Sequence, residues 1–124
     1  MSPRSEEFMA VARDRTRLAL AALAADSNGG AVSAAYYAML NAARAALSEE
    51  NRYAKTHSGT WTLFRETFVV TQRFDADLVI QAERAFELRI GADYDAERIT
   101  RAQAEGATEL AARFVAAIEA LYAD

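Results

Sequence analysis

Cysteine is absent from the 124 residues and histidine occurs once, at His57. Without thiols there is no disulfide framework and no sulfur nucleophile. A zinc site, which draws mainly on Cys and His, is all but excluded. One histidine also cannot furnish the two Glu-x-x-His sets of a di-iron bundle. Proline is confined to Pro3, outside any periodic pattern, and the five glycines form no phosphate-cradling loop. The longest uncharged run, Ser27 to Ala43, spans 17 residues and includes Ser27, Asn28, Gly29, Gly30, Ser33 and Asn41, too polar and slightly too short to cross a bilayer. In the first 25 residues Arg4, Arg13, Arg15 and Arg17 alternate with Glu6, Glu7 and Asp14, unlike the charged-then-apolar order of a signal peptide. These absences lead to the expectation of a cytoplasmic protein with no membrane role, no metal and no cofactor.

What the chain has in quantity is alanine, at 30 positions of a composition that is 52% hydrophobic. Alanine is the strongest helix former, and few Gly or Pro interrupt it, so the composition describes helices meeting at close range. The length fits one domain, taken as residues 1–124. Net charge is −4, divided as +1 over residues 1–60 (seven basic, six acidic) and −5 over 61–124 (seven basic, twelve acidic). That balance argues against broad gripping of a phosphate backbone, although a cleft can gather a few cations against the global sign.

Periodicity predicts a first helix over Ser5–Ala25, capped by Ser5 and stopped at Asp26-Ser27-Asn28-Gly29-Gly30. A second helix, Ala31–Leu47, has two apolar rows and reads as central, with Asn41 and Arg44 as its polar exceptions. Trp61, Phe64 and Phe68 mark a short aromatic third helix from about Ser58. The fourth, capped by Asp75 or Asp77, ends near Arg89 where Gly91-Ala92-Asp93-Tyr94-Asp95 breaks the pattern. The fifth opens at Ala96 or Thr100 and runs to Tyr122, with Thr100 and Gln103 at capping-box spacing. The expected fold is an all-α up-and-down bundle of four main helices plus a short one. Tyr36 and Tyr37 read most simply as core residues, and Arg89 with Asp93 and Tyr94 as a helix end tied to the next turn.

Chemistry concentrates in Asn51-Arg52-Tyr53-Ala54-Lys55-Thr56-His57-Ser58-Gly59, where Arg52, Lys55 and His57 place three nitrogen-bearing groups within six residues of an acidic chain. On one helix Arg52 and His57 would stand about 140° apart (five steps of 100°), a poor arrangement for converging on one atom. With Arg52 closing a loop and His57 opening a helix, the arginine can fold back to the imidazole. A neutral histidine can take the proton of a ribose 2′-hydroxyl, and arginine donors match a phosphate whose charge grows in the transition state. This chemistry needs no metal and fails on DNA, which lacks the 2′-hydroxyl.

Three stretches carry a family resemblance: Ser33-Ala34-Ala35-Tyr36-Tyr37-Ala38-Met39-Leu40-Asn41-Ala42-Ala43-Arg44-Ala45; Lys55-Thr56-His57-Ser58-Gly59 with Leu63-Phe64 and Phe68-Val69; and Arg89 with Ala92-Asp93-Tyr94. In this order they resemble the HEPN domain family, in its small stand-alone prokaryotic branch of toxin-type ribonuclease relatives. The resemblance implies a helical bundle, usually dimeric, with an Arg-x4-6-His element forming a metal-independent ribonuclease site. Arg52 and His57, with four residues between them, match that element, and Lys55, Arg44 and Ser58 are the accompanying candidates for RNA or phosphate binding. It also implies a partner of nucleotidyltransferase fold acting as antitoxin, which in some systems adenylylates a tyrosine two positions after the histidine. That position is Gly59 here, and Tyr53 stands where relatives commonly carry Asn, Asp or His.

Two functions are thus expected: a toxin–antitoxin endoribonuclease using Arg52 and His57, or a non-catalytic nucleotide- or partner-binding module working with a nucleotidyltransferase. A positive cleft around Arg52, Lys55 and His57 would favour the first. Because one histidine supplies only half of an acid/base pair, a symmetric homodimer with the 52–57 segments near a shared cleft is predicted. Sedimentation velocity at micromolar concentration should show a species of twice the 13.6 kDa chain mass, and a monomer alone would contradict it.

Overall fold

The computed structural model describes residues 1–95 and 98–123, apart from the side chains of 92–95. Its elements are α1 (Pro3–Ala24), α2 (Asn28–Glu49), α3 (His57–Phe64), which widens into one π-helical turn over Arg65–Val69, α4 (Ala76–Asp95) and α5 (Arg101–Leu121). The described residues contain no strand, so the expected all-helical bundle with one short helix is what forms.

Alanine decides how close the long helices come. Ala12 and Ala19 of α1, Ala31, Ala35, Ala38, Ala42 and Ala46 of α2, and Ala104 and Ala111 of α5 are fully buried. Ser5 Oγ of α1 donates to Glu49 at the end of α2 (3.1 Å), so these helices are antiparallel. At the other end Asn28 Nδ2 donates to Ile99 O (3.1 Å), while Tyr122 Oη reaches Ala46 O (3.3 Å), which sets α5 parallel to α2. Beyond the alanine zone the core turns aromatic. Phe64 lies 4.8 Å from Phe68, 5.1 Å from Phe74, 6.0 Å from Phe114 and 6.2 Å from Trp61, centroid to centroid.

Several expected boundaries move for identifiable reasons. The first cap is Ser2, whose Oγ accepts from Ser5 N (3.2 Å), with Pro3 in the first turn where its missing N–H costs nothing. Asn28, Gly29 and Gly30 do not end α1; they open α2. Asp26 makes the stop instead, at φ 59°: its N–H donates to Leu23 O (3.1 Å) and that of Ser27 to Ala22 O (2.8 Å). Asn51 (φ 55°) and Gln72 (φ 60°) close the next two helical segments with the same pair of bonds, Asn51 and Arg52 donating to Ser48 O and Leu47 O, Gln72 and Arg73 to Val69 O and Phe68 O. Gly91 does not break α4, which continues to Asp95. No described glycine has a positive φ, and a right-handed glycine costs a helix only about 1 kcal/mol relative to alanine. The Thr100–Gln103 capping box forms as expected; the alternative start at Ala96 lies outside the described residues.

Gln72 is exposed and pays a left-handed penalty that glycine would not. Gln72→Gly should therefore raise stability, by up to about 1 kcal/mol, read as a higher urea midpoint at unchanged slope.

Candidate functional site

The site begins with a polar row on an otherwise buried helix. Tyr37, Asn41 and Arg44 follow one another at helical spacing on α2, and all three are half-buried where their neighbours are buried. Asn41 Nδ2 donates to Tyr37 O (2.8 Å), keeping its polarity within the helix. Arg44 Nη2 reaches the Lys55 carbonyl at 3.5 Å, and its Nε is buried with no hydrogen-bond partner.

His57 is the first residue of α3. Thr56 caps that helix, its Oγ1 accepting from Gly59 N at 2.9 Å. A Cβ at position 59 would stand 2.6 Å from Thr56 Oγ1 and 3.4 Å from Ala54 Cβ, so a side chain there would have to shift the cap, and glycine serves for space, not for φ. Thr60 Oγ1 donates to Thr56 O (2.7 Å), and Trp61 Nε1 donates to the buried Tyr36 hydroxyl (3.1 Å). Together these fix the start of α3 against α2.

The imidazole so placed sits among three rings, with centroids 5.8 Å from Tyr36, 5.8 Å from Tyr37 and 5.7 Å from Phe86. Burial among these rings, and then the charges of Arg44 and Arg89, hold its pKa below the usual histidine value. Its position at a helix N-terminus acts in the same direction. Arg89 lies with its Cζ 4.9 Å from the Tyr37 ring centroid. Burial likewise drives the Tyr36 phenol up to about 12; Tyr37 adds to the rise, while the Trp61 hydrogen bond, Arg89 and Arg44 oppose it. The result is a neutral base flanked by two guanidinium groups.

Of the residues singled out in the sequence, His57, Arg44 and the Lys55 backbone come together. Arg52 does not fold back to the imidazole. Its Nη1 donates to Thr67 Oγ1 (3.1 Å) in the π-helical turn, and the cations felt at His57 are Arg44 and Arg89. Lys55 and Ser58 are exposed beside the imidazole in sequence, with the Ser58 carbonyl accepting from Thr62 Oγ1 (3.0 Å). Sequence reasoning gave Tyr36, Tyr37 and Arg89 scaffold roles and did not single out Phe86. The polar row on α2 and the Phe86–Arg89 spacing on α4 were the available signals. Asp93 and Tyr94, the expected companions of Arg89, lie outside the residues whose side chains are described.

Among the described residues no group of three or more His, Cys, Asp or Glu could hold a metal ion, and no helix is long and apolar enough to cross a membrane. Arg4, Arg44, Arg52 and Lys55 form no ion pair with any described carboxylate, whereas nearby Glu50 is occupied by Arg73.

Comparison with known proteins gives a match to the HEPN domain over residues 5–121. A candidate toxin of Methanocaldococcus jannaschii is 36% identical over 66 residues, 53% of this chain and 45% of that protein. A UPF0332 protein of Gloeobacter violaceus is 41% identical over 63 residues, 51% of this chain and 50% of the relative. The chain thus spans about half the length of the curated relatives it matches.

A depressed histidine pKa has a definite sign in stability. The unfolded chain, with His57 near its ordinary value of about 6.5, binds more protons than the native state in the window below that value. His57's contribution is therefore complete above about 6.5 and is lost as pH falls toward the lower native pKa. An NMR titration of this single histidine should give a midpoint under 6.5, and Arg44→Ala should move it upward. A wild-type midpoint at or above 6.5 would contradict the geometry.

Proposed function

We propose that this chain, which belongs to the HEPN domain family, is a metal-independent endoribonuclease of toxin–antitoxin type. The observation carrying this reading is the half-buried imidazole set among three rings at the start of α3, its pKa lowered by burial and then by Arg44 and Arg89 although the protein is acidic overall. The relative described as a candidate toxin supports the same class.

In this reading His57 takes the proton of a ribose 2′-hydroxyl. The 2′-oxygen attacks the adjacent phosphorus, the bond from phosphorus to the 5′-oxygen breaks, and the products are a 2′,3′-cyclic phosphate and a 5′-hydroxyl. Arg44, with Arg89 behind it, neutralises the charge that grows on the non-bridging oxygens. Lys55 and Ser58 border the entry and contact neighbouring phosphates, and Arg52 serves as a phosphate-gripping cation one step out from the imidazole. The leaving oxygen takes its proton from the second histidine of a homodimer. A nucleotidyltransferase-fold antitoxin is the proposed restraint; with Gly59 in place of tyrosine, it would act by a route other than modification at that position.

A non-catalytic nucleotide-binding role is the second reading, favoured by one observation: three aromatic rings enclose the imidazole and limit its approach to substrate. The two separate on cleavage of a defined RNA in EDTA. His57→Ala should lower the rate by roughly 10² to 10⁴, and Arg44→Ala by roughly 10² to 10³. A single 2′-deoxy substitution at the cut should abolish cleavage there. Wild-type rates in His57→Ala, or cutting at the deoxy position, would end the nuclease reading.

A further inference from the structure

Between the start of α1 and the α2–α3 connection lies a pocket of about 290 Å³, lined by Arg4, Phe8, Asn51, Arg52 and Tyr53 together with Ser2 and Ser48. None of these but Arg52 belongs to the site described above. Tyr53 is 52% exposed although it is one of the larger apolar rings in the chain. The guanidinium of Arg4 stands 5.3 Å from its centroid and 6.0 Å from that of Phe8. Arg44, whose charge reaches His57, stands 6.0 Å from the same tyrosine ring. Arg4 and Arg52 have no described carboxylate partner, and Arg52 is held by a single bond to Thr67.

An exposed tyrosine flanked by planar guanidinium groups is an arrangement that stacks nucleobases, since every base offers a π-face and every backbone a negative charge. The volume lies at the lower end of ligand pockets, about 300 Å³, which suits one nucleotide better than a larger cofactor. Asn51 and Ser48 supply the donors and acceptors that a base edge needs.

We propose that this pocket is a nucleotide subsite for single-stranded RNA: Arg4 swings off the Tyr53 ring, the base stacks in its place with Arg4 covering it, and Arg52 holds its phosphate, so that the adjoining phosphate falls toward Arg44 and His57. The subsite rests on the reading of the chain as an RNA-cleaving protein. It gives Tyr53 a share in choosing where the strand is held.

The test uses a labelled mixed-sequence octanucleotide of 2′-fluoro RNA, which has no nucleophile and cannot be cut, titrated by fluorescence anisotropy against the full chain. Tyr53→Ala should weaken binding about tenfold, Tyr53→Phe should bind as wild type, and Arg4→Ala should fall between. An octanucleotide without bases should bind more weakly to the wild type and lose nothing further in Tyr53→Ala, because the interaction removed is the stack. Circular dichroism of each variant controls for folding, and Tyr53 is exposed enough to be replaced without a core defect. Equal binding by wild type and Tyr53→Ala, or no binding by the wild type, would overturn the subsite. If unmodified RNA stays intact with the wild type while Tyr53→Ala still loses affinity, the nuclease reading fails and the subsite stands.

Discussion

Helix α2 is buried around almost its whole circumference, and the rest of the structure answers to that constraint. A helix enclosed by α1, α4 and α5 must present small residues wherever a neighbour crosses closely, and alanines occupy those positions. It must also have almost no polar side chains, because each would need a partner inside. The row Tyr37, Asn41, Arg44 is therefore a costly exception, and it is tolerated because α3 begins opposite it and leaves the row half-open. The packing that makes α2 central also makes its one polar seam the place where reactive groups can gather.

The chemistry of that seam follows from its electrostatics rather than from net charge. An acidic protein can still hold a local positive field if its acids are engaged elsewhere, and here Glu49 accepts from Ser2 and Ser5 while Glu50 pairs with Arg73. Arg44 and Arg89 both act on His57, and low-dielectric surroundings strengthen their effect. Burial first, and then the same charges that would steady a phosphate, favour the unprotonated imidazole, which is able to accept a proton. Positioning comes from a chain of ordinary contacts: the Thr56 cap, the space left by Gly59, and the Trp61 hydrogen bond to Tyr36.

Helix ends show a different kind of constraint. Asp26, Asn51 and Gln72 accept left-handed geometry because each closes its helix with two backbone bonds that would otherwise be missing. At Asn51 the consequence reaches the site. After the turn Arg52 bonds Thr67, and Tyr53 is exposed beside Arg4 at the pocket between the start of α1 and the α2–α3 connection.

Helix content, the order of four long helices and a short one, the centrality of α2 and the Thr100 capping box were all determined by composition and periodicity, because local propensity and burial point the same way along those stretches. The cluster of Arg52, Lys55 and His57 was legible too, since three nitrogen-bearing groups stand out against an acidic background. Which cations serve His57 was not. Arg44 lies 13 positions before it and Arg89 lies 32 after it, and only the packing of α2 against α3 and α4 brings them to one ring. Arg52, five positions away, follows the left-handed turn at Asn51 and donates to Thr67 instead. Separation along the chain sets what can be read locally; the crossing of helices, which depends on every buried side chain at once, decides which charges share a site.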